Sequence, residues 1–211
     1  MKKKKSMESY HHGNLREAVL EHSIVELEKK GAFALSLRDI AQDLSVSHTA
    51  PYKHFPKKID LLAAIVSKGF FDLGLGMQRA WEYSSDPLKK LKKAGEEYIL
   101  LLLSHPRRTE LMFGGEIESQ MSTLENKEEL QENSKLAYMG MFKIVEEGQK
   151  SKLLNSDVST ETLMMMYWSL VHGFAVLNEF KWKSCKSDQE KSAFLKEMND
   201  ILDLLIEKTK A

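Results

Sequence analysis

An all-α fold is predicted by three observations. The 211-residue chain has only four prolines, Pro51, Pro56, Pro87 and Pro106. No stretch shows the sustained period-two alternation of β-branched and aromatic residues that a half-buried strand requires. Between capping residues, apolar side chains instead recur at i, i+3 or i+4, and i+7, the spacing of one face of a helix. With 42% hydrophobic and 29% charged residues the chain is apolar enough to bury a core, and its length suits one domain or two small ones.

The elements follow in order. A first helix is expected from Asn14, which has capping-box spacing to Glu17, and it carries Leu20, Ile24 and Leu27 on one stripe before ending near Gly31. Ser36, three residues before Asp39, caps a second helix whose buried face is Leu37, Ile40, Ala41 and Leu44. After a break at Ser45 and Val46, Ser47 caps a short third helix, roughly 48–54, stopped by Pro56. A long helix from about Lys57 to Trp81 follows. Gly69, Gly74 and Gly76 within it serve either as bending points or as sites of close helix packing.

Two short helices joined by a three-residue turn have helix-turn-helix geometry, which ordinary helical corners share. Residue content separates the two. His48 and Thr49 stand at the start of the third helix, where side chains reach base edges. Tyr52, Lys53, His54 and Lys58 supply donors suited to phosphate oxygens. Charge agrees in sign: residues 1–60 hold 11 Lys and Arg against 8 Asp and Glu, a balance of +3, offset by −3 in the remainder, so the formal net charge of zero is a sum of opposites.

At these residues the chain resembles the TetR family of bacterial transcriptional regulators. The run from Leu35 to Leu62 follows the family pattern of a Ser or Thr cap, an Ile-Ala pair, a Gly-Val-Ser-like turn, Tyr-x-His-Phe, then a Lys and a Leu pair. The segment 10–16, from Tyr10 to Arg16, looks like the start seen in one branch. His105 to Gly114 and Trp168 to Gly173 resemble the C-terminal ligand domain of that branch, named for its Trp, His and Gly. The resemblance implies groove contact from Arg38, base contact from His48, Thr49 and Ala50, and backbone contact from Tyr52, His54 and Lys58. Ser47, Pro51 and Lys53 complete the candidate DNA-binding set. Two departures stand out: Ser45 replaces the usual Gly of the turn, and Pro51, lacking an N–H, is expected to distort the first turn of the reading helix toward 3₁₀.

Residues 61–211 are expected to form an effector-binding and dimerisation domain, after a DNA-binding domain of residues 1–60. Helices are expected from Pro87 to about Ser104, from Pro106 to Phe113, from about Lys127 to Lys150, from about Ser159 to Phe180, and from Asp188 to about Lys208. The last carries a wide stripe of Phe194, Leu195, Met198, Ile201, Leu202, Leu205 and Ile206, which a second chain would cover; the resemblance implies a homodimer. The 11 methionines suit an adaptable pocket or an ordinary core. The effector candidates are Met112, Phe113, Tyr138, Met141, Phe142, Met165, Trp168 and His172; the alternative for Trp168 and His172 is a packed core pair.

Other classes are disfavoured. The longest apolar run, Tyr98 to Leu103, is far too short to span a bilayer, and Lys2 to Lys5 are followed by polar residues rather than a signal-peptide core. The lone Cys185 forms no internal disulfide, which suits a cytoplasmic protein. His11, His12 and His22 lack further ligands at metal spacing. No catalytic constellation or phosphate loop occurs, so neither cofactor nor metal is expected and the chain reads as no enzyme, against a rival helical enzyme whose N-terminal corner is structural. The expected partners are a double-stranded DNA operator and a small apolar or amphipathic effector, with no membrane. The expected mechanism is that of a dimeric repressor released by its effector.

Overall fold

The computed structural model describes residues 15–125 and 127–210. These form α1 (Leu15–Lys30), α2 (Leu37–Asp43), a 3₁₀ turn (Pro51–Lys53), α3 (Lys58–Tyr83), α4 (Pro87–Ser104), α5 (Pro106–Phe113), α6 (Glu116–Ser119), a second 3₁₀ turn (Met121–Thr123), α7 (Lys127–Lys150), α8 (Thr160–Ser184) and α9 (Asp188–Thr209). Among the described residues there is no strand, only an isolated bridge between Leu154 and Lys210. Asn14 and the Lys2 to Lys5 and His11, His12 segments lie outside the described residues.

Punctuation residues set the helix ends. Gly31, at φ 79°, ends α1 and donates its N–H to the Leu27 carbonyl at 2.8 Å. Ser36 caps α2, its hydroxyl accepting from the Asp39 N–H at 3.3 Å, and Asp86 caps α4 ahead of Pro87, accepting from Leu88 N–H at 2.9 Å. Along α1, Leu20 and Leu27 are buried as expected while Ile24 is half-buried. α2 buries Leu37, Ile40 and Ala41.

The turn after α2 is a Schellman motif. Val46 N–H reaches the Ala41 carbonyl at 2.9 Å and Ser45 N–H the Gln42 carbonyl at 3.0 Å, which forces Ser45 to φ 57°. This left-handed position favours glycine. The expected helix over 48–54 shrinks to the single 3₁₀ turn Pro51–Lys53. Pro51 has no N–H to give Ser47, whose carbonyl instead accepts from Ala50 at 2.9 Å; the distortion expected of the first turn takes the whole element.

Two apolar cores stack along α3. The distal core gathers Leu73, Met77, Leu91, Ile99, Ile144, Tyr167 and their neighbours from α3, α4, α7, α8 and α9. The proximal core joins Val19, Leu27, Ile40, Phe55 and Leu61 to Leu111, Met112, Ile117, Leu124 and Leu130. Packing therefore does not break at residue 60: the segment 111–130, including the α6 and 3₁₀ turns absent from the expected elements, closes the core beneath the helix-turn-helix. Polar contacts reinforce it. Glu28 on α1 accepts from the Arg107 and Arg108 amides that open α5, at 3.2 and 3.0 Å. The buried Arg108 guanidinium pairs with Asp72 on α3 at 2.9 Å.

α3 runs without a break through its three glycines. A Cβ on Gly69 would stand 2.4 Å from the Met112 sulfur, and one on Gly74 2.9 Å from Leu136. Close packing, rather than bending, accounts for both.

Candidate nucleic-acid interface and effector cavity

The proximal end of the molecule presents a polar face. Arg38 on α2, then Ser47, His48, Thr49, Tyr52 and Lys53, are all exposed, and Ala50 and His54 are half-buried. The Ser47 and Thr49 hydroxyls lie 3.4 Å apart, holding the turn before the 3₁₀ element. Phe55, from the same Tyr-x-His-Phe run, is buried in the proximal core and anchors this face, and Arg16 on α1 lies over its ring at 5.5 Å. Donors and hydroxyls thus face solvent while buried apolar residues fix the backbone beneath them.

Two candidates are corrected. Pro51 is buried, because the 3₁₀ turn it opens packs on α1 and α2, and it offers no surface to DNA. Lys58 gives its ammonium to the Phe33 carbonyl at 2.8 Å and lies 5.9 Å from the Phe33 ring centroid. That ties α3 to the α1–α2 loop instead of leaving a free phosphate donor. Its neighbour Lys57, exposed with its side chain free of ion pairs among the described residues, is the cation that the sequence reading passed over; the signal was the Lys57–Lys58 pair itself. His22, weighed above as a metal ligand, pairs with Asp43 at 3.0 Å and so braces α1 against α2. Among the described residues no group of His, Cys, Asp and Glu is placed to hold a metal, and no helix is long and apolar enough to cross a membrane.

The distal domain contains an apolar cavity of about 40 Å³ between α3, α4, α7 and α8, walled in part by Phe70, Leu73, Met77, Tyr98, Met141 and Trp168. Of the effector candidates, Tyr138, Met141 and Trp168 line it. Phe113 and His172 stand directly behind the wall: the Phe113 ring lies 6.0 Å from Trp168 and 5.0 Å from His172. Both border an open cleft of about 500 Å³ that also touches Arg107, Glu110, Glu179 and Lys183. Phe142 stacks on Tyr138, centroids 6.3 Å apart, one turn along α7 and outside the cavity.

Met165 is corrected, and Met112 lies away from this cavity. Met112 packs into the proximal core against Gly69, where it lines a separate cavity. Met165 is 53% exposed, since the helical phase of α8 turns Met164 inward and Met165 out; Met164 lines the cavity in its place. The residues missed come from α3 and α4, above all Tyr98. Its signal was a phenol opening an otherwise apolar run.

Tyr98 organises the cavity wall. Its hydroxyl accepts from the Trp168 indole N–H and lies 2.9 Å from His172 Nδ1. That contact suits a neutral imidazole in either tautomer, since the phenol oxygen can donate to Nδ1 or accept from it. Burial acts in the same sense, pushing the His172 imidazole below its ordinary value and the Tyr98 phenol well above its own. The cavity lining is uncharged, its polar groups being the Tyr98 and Tyr138 hydroxyls, the Trp168 indole N–H and Ser134.

An exposed helix-turn-helix is joined by one continuous helix to a helical domain with an apolar cavity. Residues 19–65 match the family model described as bacterial regulatory proteins, tetR family. No curated protein matches the chain. Among solved structures, a protein of unknown function from Rhodococcus sp. RHA1 is 25% identical, with 97% of this chain and all of that one covered at a TM-score of 0.76. The TetR family regulator PfmR from Thermus thermophilus is 20% identical, covering 90% of this chain and 97% of its own at 0.64. FadR from Bacillus subtilis, in complex with stearoyl-CoA, is 16% identical over 90% and 97%, at 0.68. Residues 19–65 are thus similar to bacterial regulatory proteins of the tetR family, and the chain as a whole shares the fold of these solved structures.

Proposed function

We propose that the chain is a homodimeric repressor that leaves a near-palindromic operator when a small apolar or amphipathic effector enters the distal domain. Residues 1–60 are its DNA-reading part and residues 61–211 its sensing and dimerising part, working in the cytoplasm. The observation that carries this is the double duty of α3. Its first turns meet the helix-turn-helix through Leu61, Leu62 and Ile65 in the proximal core, and its later turns give Phe70, Leu73 and Met77 to the cavity wall.

A cavity of about 40 Å³ holds little more than a water molecule or two, so any larger effector must push its walls apart. Since α3 is one wall, opening the cavity moves the helix that carries the reading elements. Two such elements must sit about 34–36 Å apart to enter successive major grooves, and a small rotation of α3 in each subunit spoils that spacing. Full release, from 1:99 to 99:1, requires the effector to favour the non-binding state by about 5.5 kcal/mol. The complex of FadR with stearoyl-CoA supports an amphipathic effector for this fold. Base contact is assigned to His48, Thr49 and Ala50, and phosphate or groove contact to Arg38, Ser47, Tyr52, Lys53 and His54, with Lys57 added.

The test is a gel shift on DNA flanking the protein's own gene. The chain should retard a specific fragment, and His48→Ala with Thr49→Ala should abolish specific but not residual salt-sensitive binding. Retention of no fragment by the folded wild-type protein would sink the proposal.

A further inference from the structure

A second cavity, of about 130 Å³, lies under α6 and the turn at Met121–Thr123. It shares part of its lining with the first. Phe70 of α3 and Ser134 of α7 line both, Leu73 and Met77 bordering the distal cavity and Val66 and Leu130 the proximal one. The two therefore sit end to end in the groove between α3 and α7, divided by the Phe70 ring. That ring is braced edge-on by Phe113, 5.8 Å away at 84°. The α3 residues from Val66 to Met77 span roughly 16 Å at 1.5 Å per residue, the length of a zigzag chain of about fourteen carbons whose ~1.5 Å bonds each advance it by ~1.25 Å.

We propose that these cavities are two halves of one site, which takes an unbranched, apolar chain lying along the α3–α7 groove past Phe70. This rests on the effector reading above and specifies its ligand class. The lining dictates the chemistry. Phe70, Leu73, Met77, Val66, Ile117 and Leu130 give the walls their apolar character, with Ser134 between the two halves and the one carboxylate, Glu118, at the proximal end, so the ligand's body is hydrocarbon. The groove is narrow because Gly74 lets α7 approach α3 until a Cβ would stand 2.9 Å from Leu136; a branched body does not fit where a straight one does. At the distal end the Tyr98 hydroxyl, bonded to Trp168 and His172, has three hydrogen-bonding positions and so keeps one for a hydroxyl head. At the proximal end Val66, Leu111, Met112, Ile117 and Leu130 all belong to the core beneath the helix-turn-helix. A chain that reaches past Phe70 touches the DNA-reading module's own packing, whereas a short one does not.

Calorimetric titration of the full chain with straight 1-alkanols, butanol through dodecanol, tests this without DNA. Affinity should rise roughly fourfold per added methylene and continue to rise through decanol. Met121→Trp, which fills the rim of the proximal cavity, should leave butanol unchanged and end the gain at mid-length; Met121→Phe serves if the larger ring perturbs folding. Branched alkanols of equal carbon number should bind at least tenfold more weakly than straight ones. A wild-type gain that ends at the same length as in the variant, or equal affinity for branched and straight isomers, would overturn the proposal. Length-dependent binding that leaves operator affinity unchanged would instead remove the effector-release reading and leave this site standing.

Discussion

Tyr98 ties Trp168 and His172 together through one hydroxyl. Tyr98→Phe leaves the Trp168 N–H and His172 Nδ1 without partners at once, so it should cost about 1–3 kcal/mol in urea unfolding while a distant phenol such as exposed Tyr83 costs next to nothing. A pH dependence follows from His172. Its folded value is depressed by burial, so as pH falls below about 6.5 the unfolded chain takes up the proton first and stability drops, levelling off below the depressed value. His105, lowered by burial and by neighbouring Arg108 against the opposing influence of Glu28 and Asp72, adds a slope of the same sign. Unfolding free energies measured from pH 7.5 to 5 should therefore decline, and His172→Asn should flatten part of that decline. A second residue-scale prediction concerns Ser45, held at φ 57°. Ser45→Gly should raise stability by about 0.5–1 kcal/mol, since glycine has no steric penalty there, and a lower melting temperature would refute the Schellman assignment.

Elements differ in how plainly the chain announces them. α4 and α5 were legible to the residue because Asp86–Pro87 and His105–Pro106 open them and Gly114–Gly115 closes the second. α7 was equally plain from its bounded apolar period. The 116–124 turns were not, because four-residue helices carry no period and the burial of Ile117 and Leu124 depends on the proximal core, with α6 packed on α3 and α5. The recognition element was half legible: Pro51 signalled distortion, but only the accounting of Ser47 and Ala50 backbone groups shows that a single 3₁₀ turn remains. Cavity residues on α8 were legible in part, since Trp168 announces itself by chemistry, while Met164 and Met165 are separated only by helical phase. The contact between α4 and α8 yields an element-scale prediction. A Cβ on Gly95 would lie 2.4 Å from the Tyr167 hydroxyl and 2.6 Å from Leu202, and Tyr167 is buried with its hydroxyl donating to the Leu91 carbonyl at 2.8 Å. Gly95→Ala should therefore destabilise by about 1–3 kcal/mol despite alanine's better helix propensity, as chemical denaturation would report.

For the whole molecule, the unsatisfied surface is on α8 and α9. α8 is apolar on two sides: Leu163, Met164, Tyr167, Val171 and Ala175 face the distal core, while Leu170, Leu177 and Phe180 face outward with Gly173 between them, where a Cβ would meet nothing within 4 Å. Leu177 and Phe180 are each 84% exposed, and Ile201 and Leu204 extend the patch onto α9. The stripe on α9 seen in the sequence therefore divides, Phe194, Met198, Leu202 and Ile206 covered within the chain and Ile201 left exposed. A patch of this kind suits an isologous two-fold contact, in which each residue is buried twice. Burying a Leu or Phe side chain contributes about 1.5–3 kcal/mol, so Leu177→Asp with Phe180→Asp removes at least that much per site and adds desolvation of two carboxylates per subunit. Sedimentation equilibrium should show the dimer dissociating at least a hundredfold more readily, with helical content by circular dichroism unchanged because neither side chain enters the distal core. Operator binding should weaken in step, each subunit then meeting one half-site alone, and its dependence on protein concentration should change from that of a dimer to that of a monomer. Association as tight as in the wild type would place the two-fold elsewhere and leave the outer face of α8 without its proposed partner.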